Sequence, residues 1–85
     1  MAYSILLCPA AVRDLNALAS VIRRRIEAAI DRLSEEPRPH GSKKLAGFEN
    51  EWRRRVGDYR ILYVIDDSAK RVTIARVAHR REVYR

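Results

Sequence analysis

Apolar positions along the chain change their period twice, and each change marks a different kind of element. Tyr3 to Cys8 is a compact apolar run closed by Pro9, the pattern of a first strand. From Pro9 to Glu36 the apolar residues Leu15, Leu18, Ile22, Ile26, Ile30 and Leu33 recur at helical spacing. That spacing admits one continuous helix or two. Ser20 is a candidate cap for a second helix, and a helical hairpin buries more surface in a small domain, so two packed helices are expected. Pro37 and Pro39 end the helical segment. Arg38 to Asn50 holds two glycines and no period, and reads as an exposed loop. Strands are expected at Trp52–Val56, Tyr59–Ile65 and Arg71–Ala78, with Asp66 to Lys70 turning between the last two. The order β-α-α-β-β-β predicts a single α+β domain over residues 1–85, its helices covering one face of a mainly antiparallel sheet.

Gly57-Asp58 lies between two β-prone runs and reads as a two-residue hairpin loop. It sets Val56 opposite Tyr59, Arg55 opposite Arg60 and Arg53 opposite Leu62. Alternation then gathers Arg53, Arg55 and Arg60 on one surface. Trp52, Val56, Tyr59, Ile61 and Tyr63 take the other, with Arg54 a charged exception among them. Like charges facing each other destabilise a sheet, so the arginine face is expected to bind something negative. Extending the register with Val64 opposite Thr73 puts Leu62 near Ala75 and Arg60 near Val77. His79 then projects onto the arginine face, beside Arg60 and Arg55. The same register sets Arg76 against Ile61 on the helix-covered face, where its head group must snorkel to water or the register must change.

Charge sharpens this picture. The formal net charge is +7, and residues 51–85 carry 10 basic against 5 acidic side chains, while residues 1–50 carry 8 against 6. The basic half therefore suits phosphate or an acidic protein partner. Lys43 and Lys44, in the expected loop, are placed to reach the same ligand. Arg23, Arg24 and Arg25 lie near the start of the second helix and Glu35 and Glu36 near its end, both against the helix dipole.

Other chemistries have less support. Cys8, in an apolar strand beside proline, reads as an inert buried thiol. Cys and His show no metal-ligand spacing, so neither metal nor cofactor is expected. His40 has no evident companion and receives no role. No apolar run reaches membrane length and the first residues lack a basic leader, so a cytoplasmic protein without membrane contact is expected.

Residues 77–85, Val-Ala-His-Arg-Arg-Glu-Val-Tyr-Arg, bring together an imidazole, guanidinium groups and a phenol. A basic pocket with one group that exchanges protons near neutrality suits metal-independent cleavage of RNA through its 2′-hydroxyl.

Residues 54–67, Arg-Arg-Val-Gly-Asp-Tyr-Arg-Ile-Leu-Tyr-Val-Ile-Asp-Asp, carry a resemblance together with residues 72–85, Val-Thr-Ile-Ala-Arg-Val-Ala-His-Arg-Arg-Glu-Val-Tyr-Arg. Lys-Lys-Leu-x-Gly and Ala-Ile-Asp-Arg-Leu-x-x-x-Pro extend it over nearly the whole chain. The chain resembles RelE-type toxins of the RelE/ParE superfamily. The resemblance implies a small RelE-like fold that cuts messenger RNA in the ribosomal decoding site, inhibits translation, and is held inactive by a cognate antitoxin. It implies catalytic roles for Arg60, His79, Arg80 and Tyr84. Arg53, Arg55, Lys43, Lys44 and Arg81 would bind RNA phosphate. Two relatives' features are unmatched: Arg53 and Arg55 stand where RelE has lysines, and the loop lacks the glutamate some relatives use as base. Arginine does not give up its proton in practice, so His79 is the expected proton-transfer group. The alternative is a ParE-like toxin that poisons DNA gyrase without nuclease activity.

Overall fold

The computed structural model describes residues 2–45 and 50–79. The elements run β1 (Ser4–Leu7), α1 (Pro9–Asn16), α2 (Ser20–Glu35), β2 (Ser42–Lys44), β3 (Glu51–Val56), β4 (Tyr59–Asp66) and β5 (Arg71–His79). One sheet has the spatial order β1-β5-β4-β3-β2. β1 runs parallel to β5, and the other three pairings are antiparallel. The expected class, an α+β fold with a helical hairpin on a mainly antiparallel sheet, is what forms. Among the described residues no helix is long and apolar enough to cross a membrane.

The helical segment does divide. Pro9 sits in the first turn of α1, where its missing N–H breaks no helical bond. Ala17 closes α1 by donating to the Arg13 and Asp14 carbonyls. The cap of α2 differs from expectation. Ala19 is the N-cap, in an extended conformation and without a side-chain hydrogen bond, and Ser20 is already the first helical residue. Ala11 and Leu15 of α1 and Ile26, Ala29, Ile30 and Leu33 of α2 are buried against Ile61, Tyr63, Ile65, Val72, Ile74 and Val77. The sheet residues come from alternate positions of β4, and of β5 as far as Ile74, as a one-sided core requires.

The segment expected to be a loop contains β2. Gly41 adopts φ +95°, and the Ser42 N–H and hydroxyl both bond the Pro39 carbonyl, at 3.0 and 2.8 Å. This reversal brings Ser42, Lys43 and Lys44 alongside Arg54, Arg53 and Trp52. The strand is short and cationic, and it carries no hydrophobic alternation that would reveal it.

β5 also departs from the simple register. Val64 pairs with Thr73 and Tyr63 with Ile74, but Leu62 then pairs with Arg76, Ile61 with Val77 and Arg60 with Ala78. Ala75 is the extra residue of a β-bulge. The bulge turns Val77 inward and takes Arg76 out of the core. Arg76 reaches Asp14 of α1 with Nε–Oδ2 2.7 Å and Nη2–Oδ1 3.1 Å, and the Val77 N–H donates to the same carboxylate at 2.9 Å. β1 ends at Leu7 opposite Ile74, so Asp14 takes over the edge of β5 where β1 stops.

A second network closes the far end of the sheet. Asp67 accepts from Arg38 at 2.9 Å and from the Tyr3 hydroxyl at 2.6 Å, and the Arg38 head group lies over the Trp52 ring. The bonds from Arg38 and then Tyr3 hold the Asp67 carboxyl at about 2. At Asp14, burial alone would raise the carboxyl. Hydrogen bonds from Arg76 and Val77 outweigh it, so the group titrates below its ordinary range. Both groups are therefore more acidic folded than unfolded, where a carboxylate titrates near about 3.9. Their stabilisation is complete above about pH 4 and is lost as pH falls through each lowered value, about 2 for Asp67. Asp14→Ala leaves the Val77 N–H without its acceptor. It should cost about 1–3 kcal/mol at neutral pH by urea denaturation, and the difference from the parent should shrink as the pH is lowered below about 4.

Candidate anion-binding site

The site is built on the β3–β4 hairpin. Gly57 has φ +60° and Asp58 does not share the positive region, the II′ pattern that matches strand twist. The register is the expected one: Val56 opposite Tyr59, Arg55 opposite Arg60, Arg53 opposite Leu62. Arg53, Arg55 and Arg60 therefore share a face, and they line a cavity of about 190 Å³ with Lys43 and Gly41. Lys43 belongs to this set because β2 pairs it with Arg53. Lys44 pairs with Trp52 and so takes the opposite face.

Arg60 is only 6% exposed, the one charged side chain counted as buried among the described residues. Its neighbour across β5 is Ala78, whose small side chain leaves room for a guanidinium inside the sheet. Arg55 is anchored at the rim by an Nε bond to the Gly57 carbonyl at 3.2 Å. Among the described residues no carboxylate lines the cavity. Four cations thus converge where an anion with several oxygens finds forked donors on more than one side.

The bulge moves His79 away from this cavity. His79 pairs with Tyr59, their ring centroids 5.3 Å apart and their planes nearly perpendicular at 85°. Tyr59 packs on the helix side of the sheet with the core. The expectation that His79 projects beside Arg60 and Arg55 therefore fails, since one inserted residue reverses the parity of β5 beyond Ala75. Arg80, Arg81 and Tyr84 lie outside the described residues. Arg54 occupies the helix-covered face as expected, bonded through Nη1 to the His40 carbonyl at 3.4 Å. Cys8 is half-buried at the entry to α1. The sequence reading had Lys43 but not its strand, which places it opposite Arg53. The sharp turn at Gly41 was the available signal.

The fold and this cavity define a small α+β protein with a cationic sheet face. Residues 5–84 match the family described as ParE toxin of type II toxin–antitoxin system, parDE, and the chain belongs to that family. It is 36% identical to toxin RelG of Mycobacterium tuberculosis over 86 residues, covering 100% of this chain and 99% of RelG. It is 33% identical to toxin RelE of the same organism over 84 residues, covering 98% and 87%. Of solved structures, the RelBE2 toxin–antitoxin complex of Mycobacterium tuberculosis matches with TM-score 0.81 and 34% identity, covering 93% of this chain and 99% of that one. The archaeal RelE–RelB complex of Pyrococcus horikoshii matches with TM-score 0.83 and 29% identity, covering 94% and 97%.

Arg55 and Arg60 are direct cross-strand neighbours of like charge. Arg55→Gln should therefore raise stability by about 0.5 kcal/mol at low ionic strength. Calorimetry at two salt concentrations checks this, and the gain should disappear in high salt as the repulsion is screened.

Proposed function

We propose that the chain is a translation-inhibiting endoribonuclease that cuts messenger RNA on the ribosome and is silenced by a cognate antitoxin. The observation that carries this reading is the cavity lined by Lys43, Arg53, Arg55 and Arg60, in a chain whose similar relatives are named RelE and RelG toxins. The RNA 2′-hydroxyl gives its proton to water as its oxygen attacks the adjacent phosphorus, and the bond to the 5′-oxygen breaks. The products are a 2′,3′-cyclic phosphate and a 5′-hydroxyl. Negative charge builds on the non-bridging oxygens, and Arg53, Arg55 and Arg60 hold it from fixed positions. The 5′-oxygen needs a proton, and among the described residues lining the cavity Lys43 is the side-chain donor that is not an arginine. Lys43 takes the role that the resemblance implied for His79. Arg80, Arg81 and Tyr84 keep the roles implied by the resemblance: catalysis for Arg80 and for Tyr84, which engages the RNA near the cut, and phosphate contact for Arg81.

The RelBE2 toxin–antitoxin complex and the archaeal RelE–RelB complex, both similar in fold, support a cognate antitoxin here. Its contact surface should be acidic, so it competes with RNA for the same cations. The matched family's description as ParE toxin favours one second reading, a gyrase poison without a nuclease centre.

Expression of the chain followed by mapping of messenger RNA ends and gyrase-linked DNA breaks separates the two. New RNA ends that require ribosomes support the nuclease. DNA breaks without them would sink it. With purified ribosomes, Arg60→Ala should lower cleavage about 100-fold or more. Lys43→Ala should lower it about 100-fold or more, and His79→Gln should leave it near the parent rate.

A further inference from the structure

A second cationic cleft lies on the other side of β3, between that strand and α2. Its volume is about 330 Å³, and four arginines, Arg25, Arg32, Arg54 and Arg55, contribute to its walls. Residues 25, 28, 29 and 32 form one stripe along α2, because their spacing follows the helical repeat. Arg25 and Arg32 stand at the two ends of the stripe, and Ala28 and Ala29 between them leave the space open. At the hairpin end Arg25 comes close to Gly57, where an added Cβ would lie 3.7 Å from its Nη2.

Charge on α2 is partitioned. Glu27 and Asp31 border a different cavity, beside β1 and α1, away from these arginines. Among the described residues Arg25, Arg32, Arg54 and Arg55 form no ion pair. The Nε of Arg54 is buried and has no hydrogen-bond partner. Among the described residues no carboxylate lines this cleft, so its four guanidiniums suit an anion with several oxygens.

We propose that this cleft is a second phosphate site and that it binds an RNA backbone phosphate near the one held in the first cavity. The proposal rests on the nuclease reading. Arg55 supplies the link, because it lines both cavities. A polymer with a charge on every nucleotide can engage both sides of β3 around its rim, and no single carboxylate could answer four guanidiniums. The site also gives a use to Arg25, whose charge opposes the dipole at the start of α2.

The test is salt-dependent binding of the Arg25→Gln/Arg32→Gln double variant, probed with a 12-nucleotide oligouridylate and, separately, with ribosomes. Loss of one phosphate contact should reduce the slope of log affinity against log salt by about 0.7, and Arg25→Lys/Arg32→Lys should restore it. Reduction with the oligonucleotide places the phosphate on the messenger strand, and reduction with ribosomes alone places it on ribosomal RNA. An unchanged slope for both probes, in a variant with parental thermal unfolding, would overturn the proposal. So would a weakened antitoxin complex with unaltered RNA binding, which would mark a protein interface. Cleavage by the unsubstituted chain is scored in parallel. If it cuts no RNA while the slopes still differ, the nuclease reading fails and the phosphate site stands.

Discussion

The unpaired Ala75 in β5 decides which side of the sheet every later residue of that strand occupies. Without it, Arg76 would press into the core against Ile61, a position that a guanidinium cannot fill without losing its solvation. With it, Val77 packs on Ile61 and Arg76 leaves the core for Asp14. The same carboxylate accepts the Val77 N–H at the point where β1 no longer covers the edge of β5. One bulge thus sets the core, docks α1 and satisfies an exposed strand edge. It also sets Ala78 beside Arg60, giving the buried guanidinium its space.

That space matters because the cavity works against the sheet that carries it. Arg55 faces Arg60, Lys43 faces Arg53, and each like pair lowers the stability of a ladder that the backbone holds together. The rigid β3–β4–β5 unit and the apolar face beneath it offset the repulsion. Charges held apart in this way would need little rearrangement around an anion, which is the condition for stabilising charge as it develops. An acidic antitoxin on the same face would relieve the same repulsion, so neutralisation and stabilisation would come from a single contact.

The sequence was most readable where period and turn chemistry agree. Gly57-Asp58 fixed the hairpin register, and with it the shared face of Arg53, Arg55 and Arg60. The helical division before Ser20 followed from burial in a small domain. What escaped was non-local. β2 has three polar or charged residues and exists because β3 offers an edge, so nothing in its own pattern announces a strand. The bulge at Ala75 adds one residue with an unremarkable side chain, and its only trace in the sequence was the awkward placement of Arg76. His79 was misplaced for that reason alone: parity carried past an unseen bulge is reversed for every residue after it.

The consequence reaches the chemistry. A histidine beside the arginines would have supplied the proton from the end of β5, and the site would have been assembled from β4 and β5. With His79 turned to Tyr59, the described cavity draws instead on β2, β3 and β4, and its lysine sits on the short strand the pattern hides. β3 becomes the axis of the cationic surface, with Arg53 and Arg55 toward one cavity and Arg54 toward the cleft under α2. Three consecutive arginines in a strand must alternate between its faces. In this fold that alternation charges both sides of β3, so one uninterrupted basic run serves two cavities.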